Sequence, residues 1–158
     1  MTGSLSEAVV PTPVGSDQLW SSPVSAPIFS RPIQEFLERP LHAVLATRAP
    51  DGTLSQSVVW YAVDGETIWV SVRPTSAKAT HIDADARVSI LALAPHGGAY
   101  VRVEGLATRD GHVSDHERLE LVSPYLGADA GAWMAENPLP SPNTRIRITP
   151  DRVVSRGV

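Results

Sequence analysis

The stretch that decides the fold is residues 54–73, which read LSQSVVWYAVDGETIWVSVR. Both halves, Leu54 to Val63 and Thr67 to Arg73, are rich in β-branched and aromatic residues, which favour strands. Between them, Asp64-Gly65 is a two-residue turn sequence typical of β-hairpins. We therefore predict two antiparallel strands joined by a tight turn.

Sequence patterns on both sides of this hairpin predict further strands and short helices. Apolar stretches bounded by turn residues predict strands over 41–48, 87–94, 100–108, 144–149 and 152–155. Helical spacing of apolar residues predicts helices over 32–39, 75–83, 114–126 and 128–136. Gly105, inside one predicted strand, indicates a bulge or a close backbone approach. Because short hairpins dominate, we predict a mainly β fold in which about six antiparallel strands close into a small barrel.

Length and composition limit the domain organisation. The chain has 158 residues, of which 42% are apolar, and this suits one compact domain. Residues 1–30 are rich in proline and small polar residues, so we predict an N-terminal arm followed by a barrel domain over 31–158. The apolar residues of the arm are expected to dock on the body or on a partner subunit; they are Leu19, Trp20, Ile28 and Phe29.

Charge and cysteine content argue against several classes of protein. The net charge of -4 opposes nucleic-acid binding, since generic binders carry a basic surplus. No apolar run approaches the roughly 20 residues that span a bilayer, and no Lys or Arg precedes Arg31. We therefore predict neither a membrane span nor a signal peptide. The chain contains no cysteine, which excludes disulfides and thiolate nucleophiles and fits a cytoplasmic protein.

The motifs of most hydrolases and metalloenzymes are missing. There is no Gly-x-Ser-x-Gly sequence and no cysteine for a Cys–His pair. His112 and His116 are four residues apart beside Glu117, a spacing that could hold a metal on a helix. However, His112 follows Asp110-Gly111, which places it before the predicted helix. We predict no metal site and assign no catalytic side chain.

One corner of the sequence has the chemistry of an anion site. Residues 70–80 read VSVRPTSAKAT, in which a strand ends and a helix begins. Free backbone amides at a helix start attract anions, and Lys78 is the only lysine of the chain, against twelve arginines. Together with Ser71, Arg73 and Ser76, this corner could cradle a phosphate. An ordinary capped helix with a surface lysine would show the same residues.

The neighbouring strand could line a flat ring. It lies one hairpin away and could offer backbone groups to the polar edge of such a ring; its candidate residues are Ser55, Ser57, Val58, Val59 and Trp60. A purely structural role for Trp60 and Tyr61, as core and interface aromatics, remains the alternative.

Taken together, these segments resemble a known family. The motifs are LHAVLATR (41–48), SVVWY (57–61), IWVSV (68–72), DARVS (85–89) and VEG (103–105). Their order and spacing over residues 33–156 are similar to those of the pyridoxamine-5′-phosphate-oxidase-like split β-barrel proteins. Within that class the chain most resembles the reductase branch that uses the deazaflavin coenzyme F420.

The resemblance implies where a cofactor would lie. It implies a homodimer with two cofactor sites at the subunit interface, and it puts the cofactor phosphate at the Ser76-Ala77-Lys78 corner with Ser71 nearby. The strand Ser55–Val59 would lie along the ring system. The chain has Ser76, Thr80 and His81 where the family often has Arg, a basic residue and Asn. Arg73 could replace the missing positive charge.

The resemblance also implies an activity. The first hypothesis is an oxidoreductase in which reduced deazaflavin delivers hydride to an unsaturated or conjugated small-molecule acceptor, with the proton coming from water, Tyr61 or a histidine. The second is an FMN-binding oxidase or flavin reductase of the same fold. The third is a non-catalytic dimer that carries or binds the cofactor.

Overall fold

A computed structural model describes residues 26–158 and assigns them seven strands and four α-helices. The strands are β1 (Ala43–Arg48), β2 (Leu54–Val59), β3 (Ala62–Asp64), β4 (Thr67–Val72), β5 (Arg87–Leu93), β6 (Tyr100–His112) and β7 (Thr144–Arg156). The helices are α1 (Arg31–Leu37), α2 (Ala77–Ala84), α3 (Asp115–Leu126) and α4 (Ala130–Glu136), and a 3₁₀ turn, Gly127–Asp129, joins the last two. No helix in this part of the chain is long and apolar enough to cross a membrane.

The seven strands form one antiparallel sheet in the order β2-β1-β5-β6-β7-β4-β3. The two edge strands, β2 and β3, are separated in sequence only by Trp60 and Tyr61. Two residues of chain thus connect opposite edges of the sheet, which requires the sheet to curl into a barrel that is split between β2 and β3. The predicted antiparallel split β-barrel is confirmed.

The predicted single strand from Leu54 to Val63 is wrong, because the chain changes partners in its middle. Leu54–Val59 pairs with β1, whereas Ala62–Asp64 pairs with β4. At the break the backbone amide of Tyr61 donates to the hydroxyl of Tyr125, 3.2 Å away, rather than to a neighbouring strand. A side chain distant in sequence therefore ends β2.

Two other strands are longer than predicted. β6 continues beyond the expected end at Thr108 as far as His112, and the two short strands predicted at the C-terminus form one strand, β7. The pairing of β6 with β7 shifts between Glu104 and Gly105. A Cβ atom on Gly105 would lie 2.1 Å from the backbone oxygen of Thr149. The predicted close backbone approach at Gly105 is confirmed.

The core fills the inside of the barrel. Residues of β1, β4, β5, β6 and β7 point inward, and the fully buried large side chains, including one from α1, are Leu37, Leu45, Ile68, Val70, Ile90, Val101, Val103, Ile146 and Ile148. Helix α1 caps this core with Phe36 and Leu37, and Phe29 of the preceding segment is also buried. Ile28 packs against the core as well. The other two predicted docking residues of the arm, Leu19 and Trp20, lie outside the described residues.

Candidate functional site

A cavity of about 470 Å³ lies between the end of β2, the corner that follows β4 and the helices α3 and α4. Strand and corner residues form one wall: Val58, Val59, Trp60, Ser71, Val72, Arg73, Ser76 and Lys78. Helix and loop residues form the other: Arg118, Leu121, Val122, Trp133, Asn137, Pro138, Leu139 and Asn143. The two halves of the wall come from distant parts of the sequence.

The corner between β4 and α2 is built by local sequence. Pro74 cannot donate to the ladder, so β4 stops at Val72, and the amide of Ser76 closes the turn on the carbonyl of Arg73 at 3.0 Å. The hydroxyl of Ser76 then accepts from the amide of Ala79 at 3.3 Å and caps α2. Because the amides of Ala77 and Lys78 have no intrahelical acceptor, they are available to a ligand.

Two contacts from other strands hold this corner in place. Arg109 of β6 donates to both carboxylate oxygens of Asp83 at 2.7 Å and to the carbonyl of Pro74 at 3.2 Å. These hydrogen bonds keep the pKa of Asp83 below its usual value and raise that of Arg109. The hydroxyl of the buried Thr47 lies 3.0 Å from Nδ1 of His81 and fixes the other end of α2. The corner is thus anchored without any ligand.

The charge of the cavity is positive in a chain whose net charge is -4. Arg73, Lys78 and Arg118 contribute cationic groups, and none of the residues that line the cavity is acidic. Within residues 26–158, no carboxylate lies within ion-pair distance of these three side chains. Unpaired cations around free amides make the cavity suitable for an anionic ligand.

A buried amide side chain lies beside the corner. The nitrogen of the Asn143 carboxamide donates to the hydroxyl of Ser71 at 2.9 Å. The carboxamide oxygen of Asn143 is buried and has no hydrogen-bond donor within the described residues. Since buried polar atoms are normally paired, this oxygen is a place where a bound N–H or O–H group could donate.

Aromatic rings form the wall at the break between β2 and β3. The ring of Trp60 stacks on that of Tyr125 with centroids 4.9 Å apart and planes 16° apart. On the cavity side, Trp133 of α4 lies 5.5 Å from Trp60, tilted by 51°. These contacts tie the two helices to the barrel and give the cavity an aromatic surface next to its cationic corner.

The hydroxyl of Tyr125 holds this aromatic wall in place through two hydrogen bonds to the backbone. It donates to the carbonyl of Leu41 at 2.9 Å and accepts from the amide of Tyr61. Burial raises the pKa of the Tyr125 phenol, so it stays protonated and can donate at neutral pH. Burial, followed by the neighbouring Tyr125, likewise raises the pKa of Tyr61, whose hydroxyl donates to the carbonyl of Arg39.

The family of the chain follows from a sequence profile that covers most of its length. The profile of pyridoxamine 5′-phosphate oxidase matches residues 29–157. The chain belongs to this family. No curated protein sequence matches it significantly.

Solved structures agree with the family assignment. An F420 reductase shares 27% identity and a TM-score of 0.60, with 77% of this chain and 94% of that chain covered. A conserved hypothetical protein from Mycobacterium tuberculosis shares 28% identity and a TM-score of 0.61, over 79% and 82% of the two chains. General stress protein 26 from Bacillus anthracis, at 21% identity, TM-score 0.58 and coverage of 78% and 90%, has the same fold.

In this member of the pyridoxamine 5′-phosphate oxidase family, the structure brings most of the predicted site residues together. Seven of the ten line the cavity: Val58, Val59, Trp60, Ser71, Arg73, Ser76 and Lys78. Ser55 and Ser57 lie further back on β2, opposite Thr47 and Leu45 of β1, and do not reach it. The exposed side chain of Ala77 also lies outside the lining, although its amide belongs to the corner.

The predicted proton donors are not at the cavity. Neither Tyr61 nor any of the five histidines lines it. His112 lies at the end of β6 and His116 in α3, which confirms that His112 precedes the helix. Within residues 26–158 no group of three His, Cys, Asp or Glu side chains is arranged to hold a metal ion.

From the sequence, the irregular stretch from Ala128 to Asn143 is expected to roof the site, but none of the individual residues on the helix side of the cavity is predicted to line it. Arg118, Leu121, Val122, Trp133, Asn137, Pro138, Leu139 and Asn143 form this side. In the sequence, Arg118 lies among acidic residues at the start of a helix and is typical of a solvated face. The apolar spacing of Leu121, Val122 and Tyr125 was a signal for a packed helix, but it does not tell a core face from a cavity wall.

Proposed function

We propose that this chain is an oxidoreductase that binds the deazaflavin coenzyme F420 and transfers hydride to a conjugated organic acceptor. The observation that carries the proposal is the cavity itself, in which Arg73 and Lys78, unpaired within residues 26–158, and the free amides of α2 meet an aromatic wall. A cofactor with a phosphate and a flat ring matches these two halves. The 27% identical F420 reductase supports deazaflavin as the ring.

The residues present fit such a cofactor. The hydroxyl of Ser76, the amides of Ala77 and Lys78 and the Lys78 ammonium would hold the phosphate, with Arg73 adding a second charge. Val58 and Val59 end the edge strand β2 and Trp60 follows it, so the backbone groups there that do not pair with β1 are available to the polar edge of a ring. The carboxamide oxygen of Asn143, which has no donor within the described residues, would accept from an N–H or O–H group of the cofactor.

The chemistry would be divided between the cofactor and the chain. A bound deazaflavin supplies the hydride, and the residues of this chain bind it, orient it and exclude water. Leu121, Val122 and Leu139 provide the apolar part of the wall. Since no carboxylic acid or histidine is found among the described residues that line the cavity, the proton that accompanies the hydride would come from water.

The cavity is proposed to be completed by a second copy of the chain. Strand β2 is an edge of the sheet, and its outward face carries Leu54 and Val58, which are 72% and 68% exposed. Exposed apolar side chains on an unpaired edge are typical of an interface. Because Val58 also lines the cavity, a partner on this face would lie next to the cofactor.

FMN is the second candidate cofactor, and the membership in a family described as an oxidase favours it. The same corner and wall would serve an FMN-dependent oxidase or flavin reductase. A third possibility is a dimer that carries the cofactor without turnover, since no side chain in the cavity is required to act on a substrate.

The test is direct titration of the purified chain with F420 and with FMN, followed by fluorescence of each cofactor. We expect F420 to bind at micromolar concentrations and more tightly than FMN. Binding of FMN alone would establish the second candidate. A cofactor that binds but is not oxidised across a panel of conjugated acceptors would establish the carrier. Failure to bind either cofactor at tens of micromolar would overturn the proposal.

A further inference from the structure

Arg118 differs from every other arginine of residues 26–158 in its surroundings. It is only 8% exposed, and it is the one buried arginine of this part of the chain. No carboxylate of the described residues lies within ion-pair distance of it, and Asp115, three residues earlier on α3, does not pair with it. A buried charge without a counterion is costly, and such groups are normally paired.

The guanidinium of Arg118 is oriented but not saturated. Its Nη2 donates to the carbonyl of Asn137 at 2.7 Å, and its Cζ lies 5.2 Å from the ring centroid of Trp133. No other hydrogen bond from its N–H groups is made to the described residues. A guanidinium presents five N–H donors in a plane, so most of this donor set is left for a ligand.

Arg118 also stands between two cavities. A second cavity, of about 620 Å³, lies between the start of α3, the end of α4 and the proline-rich loop that follows α4 (residues 138–142). Arg118, Pro138 and Leu139 line both cavities. Of the residues proposed to hold the cofactor phosphate, neither Arg73 nor Lys78 lines the second cavity. Asp115 is the one acidic residue in the described lining of this cavity, and it forms no ion pair with Arg118. A ligand in the second cavity would therefore meet Arg118 without competing for the cationic corner.

We infer that Arg118 is a specificity-determining residue that binds the carboxylate of the hydride acceptor, which approaches through the second cavity. That the ligand is the hydride acceptor rests on the proposed function, whereas the carboxylate site itself is argued from the geometry alone. The bidentate fork of arginine matches a planar carboxylate. Trp133, in contact with both Arg118 and Trp60, gives a flat conjugated acid a surface that leads towards the cofactor wall.

The carboxylate that binds the guanidinium of Arg118 could belong to the acceptor or to the cofactor. Two sets of titrations separate these two sources. The first uses cinnamate and methyl cinnamate as probes of the whole chain without cofactor, followed by calorimetry and by the tryptophan fluorescence of the chain, to which Trp60 and Trp133 contribute. We expect cinnamate to bind about tenfold more tightly than its uncharged ester, and Arg118→Gln to remove that preference. Arg118→Lys should keep part of it, since the charge stays and the planar fork is lost.

The second set measures F420 and FMN affinity in the same variants. Arg118 lines the cofactor cavity on the wall opposite the corner, so we expect Arg118→Gln to weaken cofactor affinity less than Lys78→Ala does. Arg102→Gln, a partly buried arginine on β6, is the control and should change neither measurement. Circular dichroism of each variant checks that loss of the Asn137 contact has not unfolded α3, and Arg118→Lys carries the test if Arg118→Gln does not fold.

Each outcome decides the inference. Equal affinity of the parent chain for cinnamate and its ester would overturn it, as would an undiminished preference in Arg118→Gln. Loss of cofactor affinity in Arg118→Gln with the preference unchanged would assign Arg118 to the cofactor instead. A carboxylate preference that depends on Arg118 in a chain that binds neither cofactor would support the carboxylate site and overturn only the proposed oxidoreductase.

Discussion

The ring of Trp60 stacks on that of Tyr125 at 4.9 Å, although the two residues are far apart in sequence. The hydroxyl of the same Tyr125 accepts a hydrogen bond from the backbone amide of Tyr61. One side chain of α3 therefore both ends strand β2 and fixes the aromatic wall of the cavity. This relationship explains why the split in the barrel and the candidate site lie at the same place.

The hydroxyl of Tyr125 can be tested apart from its ring. Tyr125→Phe leaves the Tyr61 amide without its acceptor and the Leu41 carbonyl without its donor, and we expect a loss of about 1–3 kcal/mol in the free energy of unfolding. Because the stack on Trp60 is kept, cofactor affinity should change little. Urea denaturation and cofactor titration measure the two effects, and an unchanged urea midpoint would contradict the role given to the hydroxyl.

Lys78 should matter for the ligand and not for the fold. Lys78→Ala removes a charge from the cavity that no carboxylate of the described residues neutralises, and we expect cofactor affinity to fall about 10- to 100-fold. The melting temperature should stay close to that of the parent, since exposed or half-exposed charges contribute little to stability. Arg31→Ala, on the surface of α1, is the control; equal cofactor affinity in both variants would remove Lys78 from the site.

Gly105 should tolerate no side chain. In Gly105→Ala the new Cβ would meet the Thr149 oxygen at 2.1 Å, and we expect a loss of about 3 kcal/mol or more in the free energy of unfolding. Gly131→Ala is the matched control, because no atom lies within 4 Å of its added Cβ and it is in a helix. That control should gain about 0.5–1 kcal/mol. Similar urea midpoints for the two variants would show that β6 and β7 do not approach as described.

Asp110 should make stability depend on acid pH. The hydrogen bond from Arg147, with the charges of Arg147 and Arg145, keeps the pKa of Asp110 below its usual 3.8 in the folded chain. Its stabilising contribution is therefore complete above 3.8 and is lost as the pH falls through the lower folded-state pKa. The urea midpoints of the parent and Asp110→Asn should differ at neutral pH and converge in strong acid.

The control for Asp110 is Glu136→Gln, since Glu136 is exposed and makes no ion pair within the described residues. The urea midpoint of Glu136→Gln should differ little from that of the parent at neutral pH. A difference for Asp110→Asn that stays constant down to strong acid would show that the contact with Arg147 is not electrostatic in origin.

Leu54 tests the proposed second copy. Leu54 is 72% exposed and does not line the cavity, so Leu54→Asp should leave the isolated fold intact. Light scattering is expected to give a dimer for the parent and a monomer for the variant, with weaker cofactor binding in the monomer. Leu106→Asp, at 48% exposure on β6, is the control. A monomeric parent chain would overturn the interface site.

The corner that carries Lys78 could be predicted because its determinants are adjacent in sequence. Pro74 ends a strand, Ser76 caps a helix, and the lysine follows two residues later. The strands and their tight turns were equally predictable, since alternation and Asp64-Gly65 are local signals. Each of these features depends on residues within one turn or one hairpin.

The break at Trp60 and the buried Arg118 could not be predicted in this way. The break depends on the hydroxyl of Tyr125, which is 64 residues from Tyr61. Arg118 is buried only because α4 and the loop after it fold over α3, with Asn137 and Trp133 as its contacts. Tertiary contacts override local preference at both places.

The solitary lysine of the cavity has a practical consequence. Amine-reactive acylating reagents have one side-chain target in this sequence, and that target lines the candidate site. Acylation of that side chain, located by peptide mapping so that it is distinguished from the α-amine, therefore reports occupancy. Any compound that shields the ammonium slows the modification, whatever its identity. The absence of native thiols offers the complement, because a cysteine introduced on the loop after α4 would carry a second, orthogonal dye.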